Sequence, residues 1–306
     1  MGRFFYRHSG CHIVSELELP EWQAFALAGA DAAIDETDIA IRLGDTLEAA
    51  PVPDHLPEVE GDTVRFSVPD TGKWEVSAGN AIEVHPLAGA DPIAVRLFTL
   101  GTAWGVTGYQ RGWPMLHGSA VMGPKGAVLF CGRQGAGKST LAAALAERGC
   151  PLVSDDLSRA VPGRADRPTM LYPSSVRHKL WEEAIAGLGM TGREKVRDHM
   201  QMEKFHIATE RHVPLDQPVP LVAIYALRFG GEIAIEREMG GDAAHMLLAQ
   251  TAYRPRFLEA MGRLTEQAVY AAQISASVPI HGLTRPRDFG QLDAVCDRIL
   301  AHMESH

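Results

Sequence analysis

The sequence predicts a two-part α/β protein: a smaller, β-rich α+β domain over residues 1–110, then an α/β domain over 111–306 organised round a phosphate-binding loop. Three observations carry this reading. Apolar and polar residues alternate with period 2 through 63–84, the pattern of half-buried strands. From about residue 115 the pattern becomes strand, helix, strand. At the junction of an apolar strand and an alanine-rich helix, Gly132–Ser139 matches G-x-x-x-x-G-K-[ST].

Along the chain, Val64, Phe66 and Val68 alternate with polar neighbours, the PDTGK run behind them (69–73) is turn chemistry, and WEVSAG and AIEV read as further strands. The proline-rich, acidic stretch 50–62 reads as a loop, and 91–112 carries apolar residues at helical spacing. In the second part His117–Val121 reads as a short strand, 123–126 as a turn, and Ala127–Cys131 as a strand buried on both faces. Lys138–Arg148 reads as a helix stopped by Gly149. A short strand, 151–156, then ends in Asp155 and Asp156. Residues 169–173 read as a strand and 176–189 as a helix. Two strands, 221–229 and 232–238, read as a hairpin across Gly230–Gly231, and 242–253, 255–276 and 289–302 read as helices.

Composition excludes several classes of function. With 29 Lys+Arg against 38 Asp+Glu the formal net charge is −9, which argues against general nucleic-acid binding. No apolar run reaches the roughly 18 residues of a membrane span, and no signal-peptide core precedes Glu16 and Glu18. Cys11, Cys131, Cys150 and Cys296 are too scattered for a disulfide framework. The expectation is a cytoplasmic protein that engages neither membrane nor nucleic acid.

The loop is the chemical signal. Glycines let backbone N–H groups turn inward round phosphate oxygens, and the helix behind them adds its positive N-terminus. Gly132, Arg133, Gln134, Gly135, Ala136, Gly137, Lys138, Ser139 and Thr140 are therefore the expected nucleotide-binding residues. Lys138 is suited to the β/γ-phosphates and the Ser139 hydroxyl to Mg²⁺. Asp155 and Asp156 come only 17 and 18 residues after Lys138. A strand that ends so soon in carboxylates sets them beside the terminal phosphate. One can then act as base toward an incoming hydroxyl while the other holds the metal or its water. This spacing favours kinase chemistry over a mechanical ATPase.

The run LHGSAVMGPKGAVLFCGRQGAGKSTLAAALAERGCPLVSDDLSRAV (116–161) resembles the core of the bacterial HPr serine kinase/phosphorylase family, over 46 residues. It carries a His-Gly strand, a short turn, an apolar strand into the loop, a helix ending Arg-Gly and a strand ending in Asp-Asp. The resemblance implies a fold related to phosphoenolpyruvate carboxykinase, with ATP rather than GTP as donor. It also implies that His117, 21 residues before Lys138, joins Lys138 and one of Asp155/Asp156 in catalysis, with Mg²⁺ on Ser139 and the aspartates. The glycine-rich signature found after the Asp-Asp strand in the dual-function enzymes has no equivalent here. Glu182 and Glu183 read as ordinary helix residues, so reverse phosphorolysis is not implied.

Three short segments resemble the stand-alone HPr-kinase-like proteins encoded with peptide-modification systems: Ser15-Glu16, Arg111-Gly112, and Pro-x-x-x-L-x-R-Pro at 279–286. Some of those proteins phosphorylate a serine of a lasso-peptide precursor. The resemblance thus implies a serine-bearing protein or peptide acceptor, either such a precursor or an HPr-like protein, and self-association into a homo-oligomer. Lys204, His206 and Arg254 are further basic residues that could face the phosphates. Two other readings stay open: a small-molecule kinase of the shikimate or gluconate type, and a nucleotide-binding regulatory protein without phosphotransfer.

Overall fold

The computed structural model describes residues 2–28, 38–51, 57–164, 166–199, 202–305; elements below refer to these. The chain is a mixed α/β protein with several sheets. It divides into two compact units: Met1–Trp113 with Asp198–Met202 and Tyr253–Glu266, and Pro114–Arg197 with Glu203–Ala252 and Gln267–His306.

The first unit contains a seven-stranded sheet. Its strands are β1 (Phe4–His8), β2 (Cys11–Ser15), β3 (Ile39–Leu43), β4 (Glu58–Glu60), β5 (Thr63–Val68), β6 (Gly72–Ser77) and β7 (Ala81–Pro86), in the order β1-β2-β3-β7-β6-β5-β4. The alternation of Val64 and Phe66 with polar neighbours places these two in the core, and Phe66 stacks on Trp74 across the β5–β6 pair. Part of the stretch expected to be a loop, Glu58–Glu60, instead pairs with β5; residues 52–56 of it lie outside the described residues. The segment 91–112 is helical throughout: α1 (Pro92–Phe98), a π-helical turn (Thr99–Ala103) and α2 (Trp104–Gln110). The later helix α6 (Pro255–Ala260) belongs to this unit, where Phe257 meets Phe66 edge-on.

The second unit is built on another seven-stranded sheet. In chain order its strands are β8 (Met115–Met122), β9 (Ala127–Cys131), β10 (Leu152–Val161), β11 (Met170–Leu171), β15 (Val219–Phe229), β16 (Ala234–Glu238) and β17 (Ile280–Arg285). Their order in space is β11-β10-β8-β9-β15-β17-β16, with β9, β15 and β17 parallel. Its helices are α3 (Lys138–Glu147), α4 (Glu182–Gly187), α5 (Gly240–Thr251), α7 (Leu264–Ser277) and α8 (Leu292–Ser305). The all-apolar β9 explains the layering. Val128 and Phe130 pack with Leu141 and Leu145 of α3 and with Val295 and Ile299 of α8, while Leu129 and Cys131 pack with Leu247 of α5 and Ile274 of α7. Both faces of the sheet are covered, so a strand at its centre needs no polar face.

Four further expectations are corrected. Strand β10 does not end at the aspartate pair but runs on to Val161, because Leu157 and Ala160 are buried and the strand keeps pairing, first with β8 and then with β11. The stretch 176–189 is not one helix. Arg177–Trp181 is a strand, β12, in which buried His178 and Leu180 alternate with outward-facing neighbours, and only Glu182–Gly187 is helical. It joins β13 (Lys195–His199) and β14 (Met202–Ala208) in a three-stranded sheet of order β12-β14-β13. Finally, β15 and β16 do not form a hairpin, since β17 lies between them, parallel to β15 and antiparallel to β16. The span 255–276 is likewise two helices, broken at Gly262 with φ +66°.

Candidate active site

Strand β9 ends at Cys131 and α3 begins at Lys138, with the six residues Gly132–Gly137 between them. Gly137 has φ +83°, a left-handed conformation at the helix N-cap, and a Cβ there would overlap the guanidinium of Arg285. Having no side chain, Gly137 gives α3 no side-chain cap. The amides of Lys138, Ser139 and Thr140 precede the first intrahelical bond, from Leu141 N to Gly137 O at 2.9 Å. Lys138 is buried and folds back over the loop, its Nζ donating to Gly132 O at 2.9 Å and to Arg133 O at 3.3 Å. Arg133, Gln134 and Gly135 form the exposed crest.

The two aspartates come to this loop from β10. Pairing with β8 sets Asp155 opposite Ser119, and the Ser119 hydroxyl donates to Asp155 Oδ1 at 2.5 Å. Ser139 Oγ donates to the same oxygen at 2.8 Å, and the amide of Lys179 in β12 donates to Asp155 Oδ2 at 2.5 Å. Three donors thus fix Asp155, which is buried.

Asp156 should point to the opposite face of a regular strand. It has φ +83°, the left-handed region that non-glycine residues rarely occupy, and aspartate is one of the few that tolerate it. This turn brings its carboxylate to the His117 and Ser119 side of the sheet. Asp156 Oδ1 lies 3.4 Å from His117 Nε2, and Oδ2 accepts from Lys179 Nζ at 3.0 Å. Asp156 is the less buried of the pair. The strain of one such residue, about 1–3 kcal/mol, persists where surrounding contacts overdetermine it, as these do.

The electrostatics separate the groups. Burial alone would raise the Asp156 carboxyl, but the ammonium of Lys179, with its hydrogen bond, and the charge of Lys204 outweigh it and hold the group well below the usual carboxylate range. Burial pushes the His117 imidazole below its ordinary value; Asp156 opposes this, and Lys138 and Lys204 add to it. His117 is therefore uncharged near pH 7, and its Nε2 faces the ionised Asp156. The Lys138 ammonium is also lowered by burial, against the pull of Asp156 and Asp155.

Gly132–Thr140, His117, Lys138, Ser139, Asp155 and Asp156 thus come together where β9 ends, beside the first half of β8 and the middle of β10. Lys204 of β14 joins them as a charge felt by His117, Lys138 and Asp156, and His206 stands opposite Lys179 in the β12–β14 pair. Arg254 belongs to the first unit, at the N-cap of α6, with its guanidinium over the ring of Tyr253. Glu182 and Glu183 open α4, and Glu182 pairs with Lys195. Ser15, Glu16 and Arg111 make structural ties in the first unit: Ser15 Oγ to Leu17 O, Leu43 N to Glu16, and Arg111 to Gly79 O.

Two residues went unread in the sequence. Ser119, two positions beyond His117, had a signal in strand periodicity. Lys179 had none, because its segment reads as a helix. The Ser139 hydroxyl and the Asp155 carboxylate are hard oxygen donors of the kind Mg²⁺ takes, and few enough that other oxygens would have to complete a shell.

No family model matches the chain. No curated protein sequence matches it either. Among solved structures the chain is similar to the Hpr(Ser) kinase/phosphatase from Coxiella burnetii, at 12% identity over 62% of this chain and 98% of that chain, with a TM-score of 0.32. A likeness that loose carries no argument about function.

Proposed function

We propose that this protein is an ATP- and Mg²⁺-dependent kinase that phosphorylates a serine hydroxyl of a protein or peptide. One observation carries the reading: Asp156, strained out of strand alternation, is held ionised between His117 and Lys179 beside a phosphate-loop lysine. Mere nucleotide binding requires no such carboxylate.

The loop amides and Lys138 would hold the β- and γ-phosphates, and the fold suits them, since the crest at Gly135 is open and the first amides of α3 have no side-chain cap. Ser139 and Asp155 would hold Mg²⁺, which when bound neutralises charge on the phosphates. Asp155 is committed by its three donors, so Asp156 is the carboxylate that faces the acceptor. It takes the seryl proton as the hydroxyl oxygen bonds to the γ-phosphorus and the bond to the β–γ bridging oxygen breaks, releasing ADP. A weakly basic carboxylate suffices because the transition state is loose and the proton leaves late. Neutral His117 donates to Asp156 Oδ1 and aims it, while Lys179 keeps it ionised. Lys204 supplies a second cation near the transferred group.

Incubation with γ-labelled MgATP and serine-bearing peptides tests the reading, with lasso-precursor leaders and HPr-like proteins as the first acceptors to try. Phosphoserine is the expected product. Label appearing only on small hydroxylated metabolites would contradict it.

A further inference from the structure

Strands β9, β15 and β17 are parallel neighbours and end at one edge of their sheet. Ligands of open α/β sheets gather at such carboxyl ends. Gly132–Gly137 leaves the end of β9, Gly230–Gly231 the end of β15, and Pro286–Arg287 the end of β17. The register sets Ala226 opposite Cys131, so Phe229 lies three residues beyond the level where the phosphate loop departs, about 10 Å along the strand.

Phe229 is out of character for its strand. Ala226 and Leu227 are buried, yet the Phe229 ring is 44% exposed. Two guanidiniums attend it: Arg285 at 4.9 Å from the ring centre and Arg287 at 5.6 Å. Arg285 is the informative one. It is more than nine-tenths buried, pairs with no carboxylate among the described residues, and its Nε has no hydrogen-bond partner. Its Nη2 donates to Ala136 O of the phosphate loop at 2.7 Å, and its Nη1 donates to Pro286 O at 3.2 Å. An unpaired buried cation is costly unless an anion sits near it. Arg285 therefore ties the ring of Phe229 to the loop and directs uncompensated positive charge to the same place.

Given the triphosphate reading of the loop, on which this rests, we propose that Phe229, flanked by Arg285 and Arg287, is the platform on which the purine base of the nucleotide stacks. An exposed aromatic face with adjacent guanidiniums is the chemistry that holds nucleobases, and it tolerates different bases because each has a π-face. The platform holds the base by its face rather than by its edge.

Calorimetric titration of MgATP and of magnesium tripolyphosphate into the protein and its Phe229→Leu and Phe229→Trp variants tests this. Leucine keeps an apolar side chain at an exposed site, so folding is preserved, and it removes the π-face. Phe229→Leu is expected to weaken MgATP about tenfold while leaving tripolyphosphate within about twofold, and Phe229→Trp to retain MgATP affinity. Equal effects of Phe229→Leu on both ligands, or none on either, would overturn the platform and leave the phosphate loop standing. If the unchanged protein binds neither ligand, the triphosphate reading fails and the platform with it.

Discussion

Asp156 meets three demands at once: left-handed backbone, an ion pair with Lys179 and an imidazole on its other oxygen. Asp156→Asn keeps the shape and the tolerance of a left-handed backbone, and loses only the charge. Its turnover number in steady-state assays is expected to fall by about 10²- to 10⁴-fold with little change in KM for ATP. Lys179→Met removes the strongest of the groups that depress the Asp156 carboxyl. The folded-state value then rises, so the acid limb of the kcat–pH profile should move to higher pH. Stability obeys the same linkage. A carboxylate depressed in the fold adds stability above its unfolded value of about 3.9, and that stability is lost as pH falls through the folded value. The stability gap between wild type and Lys179→Met, measured by urea unfolding, should accordingly be full at neutral pH and close in acid. At this scale the loop, the lysine and the aspartate pair were legible from residue type and spacing. The different settings of Asp155 and Asp156 were not, because they depend on one φ angle and on which oxygens Ser119, Ser139 and Lys179 occupy.

The β12–β14 pair carries site residues on one face and core residues on the other. Leu180, Phe205 and Ile207 pack with Ala143 of α3 and Ile185 of α4. Leu180→Ala is expected to cost about 2–5 kcal/mol in chemical denaturation. His178 shares that buried face, and neither of its ring nitrogens has a hydrogen-bond partner among the described residues. Burial lowers its folded-state value, with Asp155 and Glu147 opposing, and His117 is lowered in the same direction. Below about pH 6.5 the unfolded chain takes up the protons these histidines refuse, so stability falls as pH drops through that range. The thermal midpoint should decline between pH 7.5 and pH 5.5, and His178→Leu should flatten the decline. The elements were legible where one period dominates, as in β5 and β9. Strand β12 was hidden because Leu180, Trp181, Ala184 and Ile185 also satisfy a helical spacing, and the true helix begins directly behind the strand. The supposed hairpin failed for a different reason. The partner between β15 and β16 arrives some 40 residues later as β17, and local pattern holds no information about such an insertion.

For the whole molecule, a net charge of −9 coexists with a site whose cations are Lys138, Lys179, Lys204 and Arg285. Attraction of the proposed triphosphate would therefore rest on local lysines and loop amides rather than on the global field. Saturating MgATP should raise the thermal midpoint in proportion to its affinity, by the equivalent of about 2.7 kcal/mol at a hundredfold excess over Kd. Lys138→Met should abolish the rise. Among the described residues no helix is long and apolar enough to cross a membrane, in line with the scarcity of apolar runs in the sequence. Strand order across the second seven-stranded sheet and the Arg285 tie to the loop arose only from the fold, since each joins segments far apart in the chain. Phosphoryl transfer through Asp156 is the central claim, and single-turnover transfer from γ-labelled ATP to a seryl peptide, monitored by mass spectrometry, tests it most directly. Phosphoserine formed by the wild type and slowed at least a hundredfold in Asp156→Asn is the result expected; equal rates for the two proteins would contradict it.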